Sequence, residues 1–179
     1  MQSIRRSSSS RPRRPPMPAD SQAARCQREA QRRRFRPISL RVLFIGESPP
    51  ASGRFFYHGD SGLYRAMRDA FHSVDPCITD ANFLAEFQAS GCYLIDLCAQ
   101  PVDHLDRESR RSACLARESS LARTMARLNP ERIVTVVRSI EPNATRAAAR
   151  AGWSGPFLHR TRPANPSCEI CRRLEHWMG

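Results

Sequence analysis

Short unbroken apolar runs alternate along this chain with stripes of helical spacing. Leu40 to Ile45 is apolar except for Arg41 and lies between Pro37 and Gly46, which predicts a strand buried on both faces, as in a parallel sheet. Gly46 to Gly59 holds three glycines and two prolines and reads as loop. Asp60 or Ser61 can cap a helix running to about Phe71, with Leu63, Met67, Ala70 and Phe71 on one stripe. Thr79 or Asp80 can cap another, ending near Ser90 with Gly91 beyond it. Cys92 to Cys98 is the second strand. A loop from Pro101 to about Arg107 leads into one long helix that stops at about Leu128, before Pro130. Arg132 to Arg138 is the third strand, with Val134, Val136 and Val137 typical of one. Glu141 to Ala151 is a helix with Pro142 in its first turn and Gly152 past its end. Phe157 and Leu158 start a fourth strand.

This alternation predicts an α/β fold, a three-layer α/β/α arrangement around a short, mostly parallel four-stranded sheet with right-handed crossovers. Ligands of such sheets bind outside the carboxyl ends of the strands. Chemistry is therefore to be sought in the loops that begin at Gly46, Cys98 and Ser139.

Composition changes the picture mainly at the front. The chain has 179 residues, enough for one domain with a core, and carries a net charge of +12. Residues 1–37 hold eleven arginines against Asp20 and Glu29, so nine of the twelve positive charges sit there. That segment reads as a disordered Arg-, Ser- and Pro-rich tail, with an α/β domain over residues 38–179. The tail is either solvated and functionally quiet, an electrostatic anchor for nucleic acid, or a targeting segment. With no lysine anywhere, the basic balance also reflects an arginine-favouring composition. No apolar run approaches a membrane span, so a soluble, cytoplasmic protein without membrane partners is expected.

Seven cysteines without a secretory signal read as reduced thiols, several of them buried as small hydrophobes. Cys168 and Cys171 form the one CxxC pair, flanked by His159 and His176. A closed zinc site needs four ligands, and this spacing follows no finger pattern, so no metal is expected.

Three features could carry chemistry. Glu47 stands just past the first strand, before Ser48, Pro49 and Pro50. A rigid loop with one carboxylate at a strand's mouth suits a general base or a water-holding group, and pairing with a nearby arginine is the plainer alternative. Phe55, Phe56 and Tyr57 follow Gly53 and Arg54. Three consecutive rings cannot all face one core, so at least one is expected to point elsewhere, where a stacked base would contribute about 1–3 kcal/mol. Asp96, near the end of the second strand, either accepts hydrogen bonds from a loop or faces the same cleft as Glu47. His58, His104 and His159 fall in loop-like positions.

Gly46-Glu47-Ser48-Pro49, then Gly53-Arg54-Phe55-Phe56, then Tyr93-Leu94-Ile95-Asp96 with Pro101 after it, resemble the uracil-DNA glycosylase superfamily. The similarity is to the bacterial and archaeal branch, in which a GE-small-P loop precedes a GR-x-F segment and a YITN strand, and it spans about Arg41 to Gly152. The resemblance implies that the loop of Gly46, Glu47, Ser48 and Pro49 places Glu47 on the water that attacks the sugar carbon. It implies that Phe55 or Phe56, with Tyr57 beside them, stacks on a base flipped out of DNA. His159 stands for the late histidine that stabilises the departing base, although the proline expected directly after it is absent. Asp96 takes the place of the asparagine that reads uracil. An ionised aspartate only accepts, so a base offering donors suits it better than uracil.

The branch's iron–sulfur ligands are not matched, since only Cys26 precedes the first strand, and no cofactor is expected. The implied partner is DNA, single-stranded or lesion-bearing, met by a monomeric hydrolase of the N-glycosidic bond in DNA repair. A non-catalytic nucleic-acid- or nucleotide-binding protein of the same fold is the alternative, and a nucleotide or small-metabolite enzyme on a related sheet a third reading.

Overall fold

A computed structural model describes residues 21–159. The strands Val42–Gly46 (β1), Cys92–Asp96 (β2), Arg132–Thr135 (β3) and Phe157–His159 (β4) form one sheet in the order β2-β1-β3-β4. Every pairing is parallel, with Val42 opposite Cys92 and Arg132, and Thr135 opposite His159. β1 is central and buried along its whole length, as its unbroken apolar run requires.

The helices are Gln22–Arg34 (α1), Gly62–Val74 (α2), Phe83–Ala89 (α3), Arg107–Leu115 (α4), Glu118–Leu128 (α5) and Glu141–Arg150 (α6). The right-handed sense that is the rule for parallel strands puts α2 and α3 on one face and α4 to α6 on the other, in keeping with the ring contacts between α2 and α3 and the packing of α5 on α6. This is the expected three-layer α/β/α architecture. The α2–α3 face is filled by rings: Phe56, Tyr64, Phe71, Phe83 and Phe87 meet edge-on or tilted, with centroids as close as 5.2 Å.

Local signals explain most boundaries. Ser61 caps α2 by accepting from the Tyr64 amide at 3.0 Å. Gly91 has φ +72°, and a Cβ there would stand 2.9 Å from the Ser39 carbonyl, so glycine alone suits the entry to β2. α3 starts later than expected, at Phe83, because Asn82 first closes a turn by accepting from the Thr79 amide at 2.6 Å. β3 ends at Thr135, and the chain passes through Val137 into a short 3₁₀ turn, Arg138–Ile140.

Two expectations are corrected. The boundary at residue 37 does not hold, because α1 is an ordered helix packed on the domain. Ser21 caps it through the Ala24 amide at 3.1 Å, and Arg28 and Arg32 find acceptors in the body of the protein. Arg28 donates to the Ala99 carbonyl at 3.3 Å, Gln31 donates to the Tyr57 carbonyl at 3.2 Å, and Phe35 stacks on Tyr57 at 5.6 Å. These contacts offset the chain entropy that composition alone suggested could not be overcome. The rest of the expected tail, residues 1–20, lies outside the described residues.

The single helix expected from Arg107 to Leu128 is two. Its first part tightens at the end, with the Arg117 amide donating to the Cys114 carbonyl at 3.1 Å, and Glu118 then begins α5 facing inward. No glycine or proline marks the break. It is set by the tertiary role of Glu118, which accepts from Asn143 Nδ2 at 2.8 Å and from Arg146 Nε at 2.9 Å and so fastens α5 to α6.

The Arg146 hydrogen bond holds the Glu118 carboxyl below its ordinary value of 4.5, against the upward push of burial. Glu118 therefore contributes stability that is complete above its unfolded value and is lost as pH falls through the lower folded one. Arg146→Gln is expected to raise the midpoint of acid unfolding, read by circular dichroism, while leaving neutral-pH secondary structure intact.

Candidate functional site

The register of β1 and β2 sets Gly46 opposite Asp96. The ladder continues past both strands, with the Leu97 amide donating to the Gly46 carbonyl at 2.9 Å and the Cys98 amide to the Glu47 carbonyl at 2.8 Å. Two carboxylates thus leave adjacent strands at the carboxyl edge. Both are buried, and each is met by an arginine from elsewhere in the chain.

Glu47 is gripped by Arg110 of α4 in a fork. Nε donates to Oε1 at 2.7 Å, and Nη2 makes a close contact with Oε2. A third donor comes from inside the protein, where the Cys114 thiol faces Oε1 at 3.8 Å and the Cys98 thiol faces Cys114 Sγ at 3.9 Å. Burial pushes the Cys114 thiol up to about 12, so the sulfur next to Glu47 is a thiol and not a thiolate. The rest of the loop is braced on the second one: Ser48 Oγ accepts from the Val102 amide at 3.2 Å, and the Ala51 amide donates to Asp103 Oδ1 at 3.0 Å. Pro49 is buried between them. Gly46 itself is the last residue of β1 and not part of the loop. It is glycine for space, since a Cβ there would lie 2.7 Å from Asp96 Oδ1.

Asp96 accepts from Arg32 Nη2 at 2.7 Å through Oδ2. Its side chain is 8% exposed and that of Arg32 is 13% exposed, so the pair is held away from water. Burial pushes the Asp96 carboxyl up, against the opposing pull of Arg32. The other end of the guanidinium donates to Glu29 at 2.6 Å, and its carbon lies over the Phe55 ring, 5.4 Å from the centroid.

The expectation that at least one ring of Phe55, Phe56 and Tyr57 escapes the core is corrected. All three are at most 3% exposed. A 3₁₀ turn over Phe56–His58 aims the rings in different directions, and each meets a different cover. Phe56 joins the ring cluster of α2 and α3, Tyr57 lies under Phe35, and Phe55 lies under Arg32. The Tyr57 hydroxyl donates to the Leu94 carbonyl at 3.0 Å and accepts from the Leu94 amide at 2.8 Å, so it satisfies Leu94 on the free side of edge strand β2. Burial pushes this phenol well above its ordinary value of 10.0.

His159 ends β4 opposite Thr135, two strands from β1 and at the same edge of the sheet by its backbone. His58 is exposed and meets Phe55 at 5.3 Å, and His104 is exposed in the second loop. Neither hydrogen-bonds to Glu47 or Asp96 among the contacts of the described residues. No group of three or more His, Cys, Asp or Glu among the described residues is placed to hold a metal ion. Cys168 and Cys171 lie outside those residues. No helix among the described residues is long and apolar enough to cross a membrane.

The structure therefore brings Glu47, Asp96, Gly46 and Phe55 to one edge and adds three residues that sequence reasoning missed: Arg32, Arg110 and Cys114. Arg32 had a signal, the helix-favouring run Gln22 to Arg34 behind Ser21. Arg110 and Cys114 had none, since their role depends on where α4 crosses the sheet. The chain matches no protein-family model and no curated protein.

Two outcomes follow from this geometry. Gly46→Ala is expected to cost about 1–3 kcal/mol in urea unfolding, because the new methyl must displace a carboxylate that Arg32 holds in place. In a Cys168→Ser/Cys171→Ser background, a thiol reagent at about pH 8 should modify exposed Cys26 and Cys77 at once. Cys92, Cys98 and Cys114, whose thiols burial pushes up, should react only after unfolding.

Proposed function

We propose that the carboxyl edge of the sheet binds a nucleobase of DNA, in a protein related to the uracil-DNA glycosylases, and that Glu47 serves hydrolysis of the N-glycosidic bond there. The observation that carries this reading is the register that sets Gly46 against Asp96. It sets two carboxylates side by side, and the guanidinium that meets the second also lies over the Phe55 ring. A parallel sheet that reverses strand order between β2-β1 and β1-β3 is also where ligands of such folds gather.

Glu47 retains capacity for a water. A carboxylate offers about four lone-pair directions, of which Arg110 takes two and Cys114 one. The held water gives a proton to Glu47 as its oxygen bonds to the sugar carbon, while the bond to the base nitrogen breaks and its electron pair leaves with the base. Exposed Arg54, Arg107, Arg111 and Arg138 lie on segments that follow the carboxyl ends of the strands, where they can meet phosphates.

One observation favours the non-catalytic alternative. Each carboxylate is already paired with an arginine, an arrangement that also suits a module that binds nucleic acid without turnover.

A single assay separates the two. Oligonucleotides, single- and double-stranded, carrying uracil, hypoxanthine, xanthine or a mismatched thymine are incubated with the full chain and with Glu47→Gln. Catalysis predicts an abasic site from at least one lesion and a loss of about 10²–10⁴-fold in the variant. Salt-dependent binding of all oligonucleotides with cleavage of none establishes the binding module in its place.

A further inference from the structure

We propose that Arg32 is a built-in occupant of a site shaped for a planar group with adjacent N–H donors, and that the ligand it stands in for is a guanine-type base. This rests on the base-binding reading above and names its ligand.

Arg32 already meets the ring and the carboxylate that such a base would meet, the carboxylate through one donor where the base would offer two. Its flat guanidinium covers the Phe55 ring at 5.4 Å, and its Nη2 donates to Asp96 at 2.7 Å. The second carboxylate oxygen, Oδ1, is laid over Gly46, where any side chain on β1 would collide with it. Guanine carries the same N–C–N unit as a guanidinium, with N1–H and N2–H side by side facing one carboxylate. Uracil turns carbonyl oxygens to either side of its N3–H, and adenine offers one amino group beside an acceptor nitrogen. An acceptor-only carboxylate selects against both.

Arg32 is an imperfect tenant. Its Nε is buried without a hydrogen-bond partner, the one such side-chain nitrogen or oxygen among the described residues. It also has somewhere to go. It belongs to the last turn of α1, and Glu29, which already accepts from Nη1 at 2.6 Å, is 44% exposed. A swing of the side chain toward Glu29 keeps one ion pair, leaves α1 anchored through Arg28 and Gln31, and uncovers Phe55 and Asp96 together.

The test uses the full chain as wild type, Arg32→Ala, Arg32→Ala/Asp96→Asn, and Arg33→Ala as an exposed control on the same helix. Probes are millimolar methylguanidinium, guanosine, adenosine and uridine, read by thermal shift and calorimetry, with a guanine-containing oligonucleotide alongside. Methylguanidinium should raise the Tm of Arg32→Ala and of no other variant. Guanosine should bind Arg32→Ala at least about tenfold tighter than wild type, as expected when an occupant that leaves less than a tenth of the sites open is removed. Uridine and adenosine should not gain, and the double variant should lose both responses. If Arg32→Ala does not fold, Arg32→Ser, whose side chain is too short to reach the Phe55 ring, carries the same expectation for guanosine.

No methylguanidinium response, with guanosine binding unchanged from wild type, overturns the proposal. Oligonucleotide binding that is the same in wild type and Arg32→Ala also overturns it, and leaves the base-binding reading standing. A methylguanidinium response with no binding of any nucleoside or oligonucleotide overturns the proposal and the base-binding reading together.

Discussion

Two carboxylates come out of water side by side where β1 and β2 end, and much of the surrounding structure follows from giving each a cation. A buried carboxylate without a partner costs several kcal/mol. Glu47 and Asp96 are each satisfied by a guanidinium delivered from outside the sheet, Arg110 from α4 and Arg32 from α1. Those two demands account for features that a hydrophobic pattern does not contain. They hold α1 against the domain and fix where α4 lies over the edge.

Such pairs are weak evidence for stability, because desolvation consumes most of the attraction between the charges. What they supply here is position. Arg110 fixes Glu47 in one orientation through a two-point grip, and the Asp96 carboxylate is fixed between Arg32 and the bare backbone of Gly46. A loop stiffened by Pro49 and Pro50 and cross-braced through Ser48 and Ala51 completes a rigid edge. Rigidity of this kind is what a binding or catalytic constellation requires of its support.

The sheet and most helices were legible in the sequence because they are written in local signals. The Leu40 to Ile45 run, the cap at Ser61 and the glycines at 91 and 152 all act within a few residues of themselves. Glu47 and Asp96 were legible too, since a carboxylate at the end of an apolar strand is conspicuous by itself. The partners were not. Arg32 is one of eleven arginines in the first 37 residues, and nothing local distinguishes the one that crosses to Asp96. The rings at 55–57 were misjudged for the same reason: the cover over Phe55 and Tyr57 is α1, and its docking depends on contacts more than twenty residues away. The α4–α5 break escaped notice because Glu118 bends the chain for the sake of Asn143 and Arg146, which lie on another helix.

The Tyr57 hydroxyl has a consequence for how this molecule meets its neighbours. By supplying both a donor and an acceptor to Leu94, it takes up on the outer side of β2 the backbone groups that an incoming strand would use. At the opposite side of the sheet, β4 has no described strand beyond it. The two flanks of the sheet therefore differ: at Leu94, in the middle of β2, a side chain of the protein itself already fills the place of an incoming strand, which disfavours strand addition on that side.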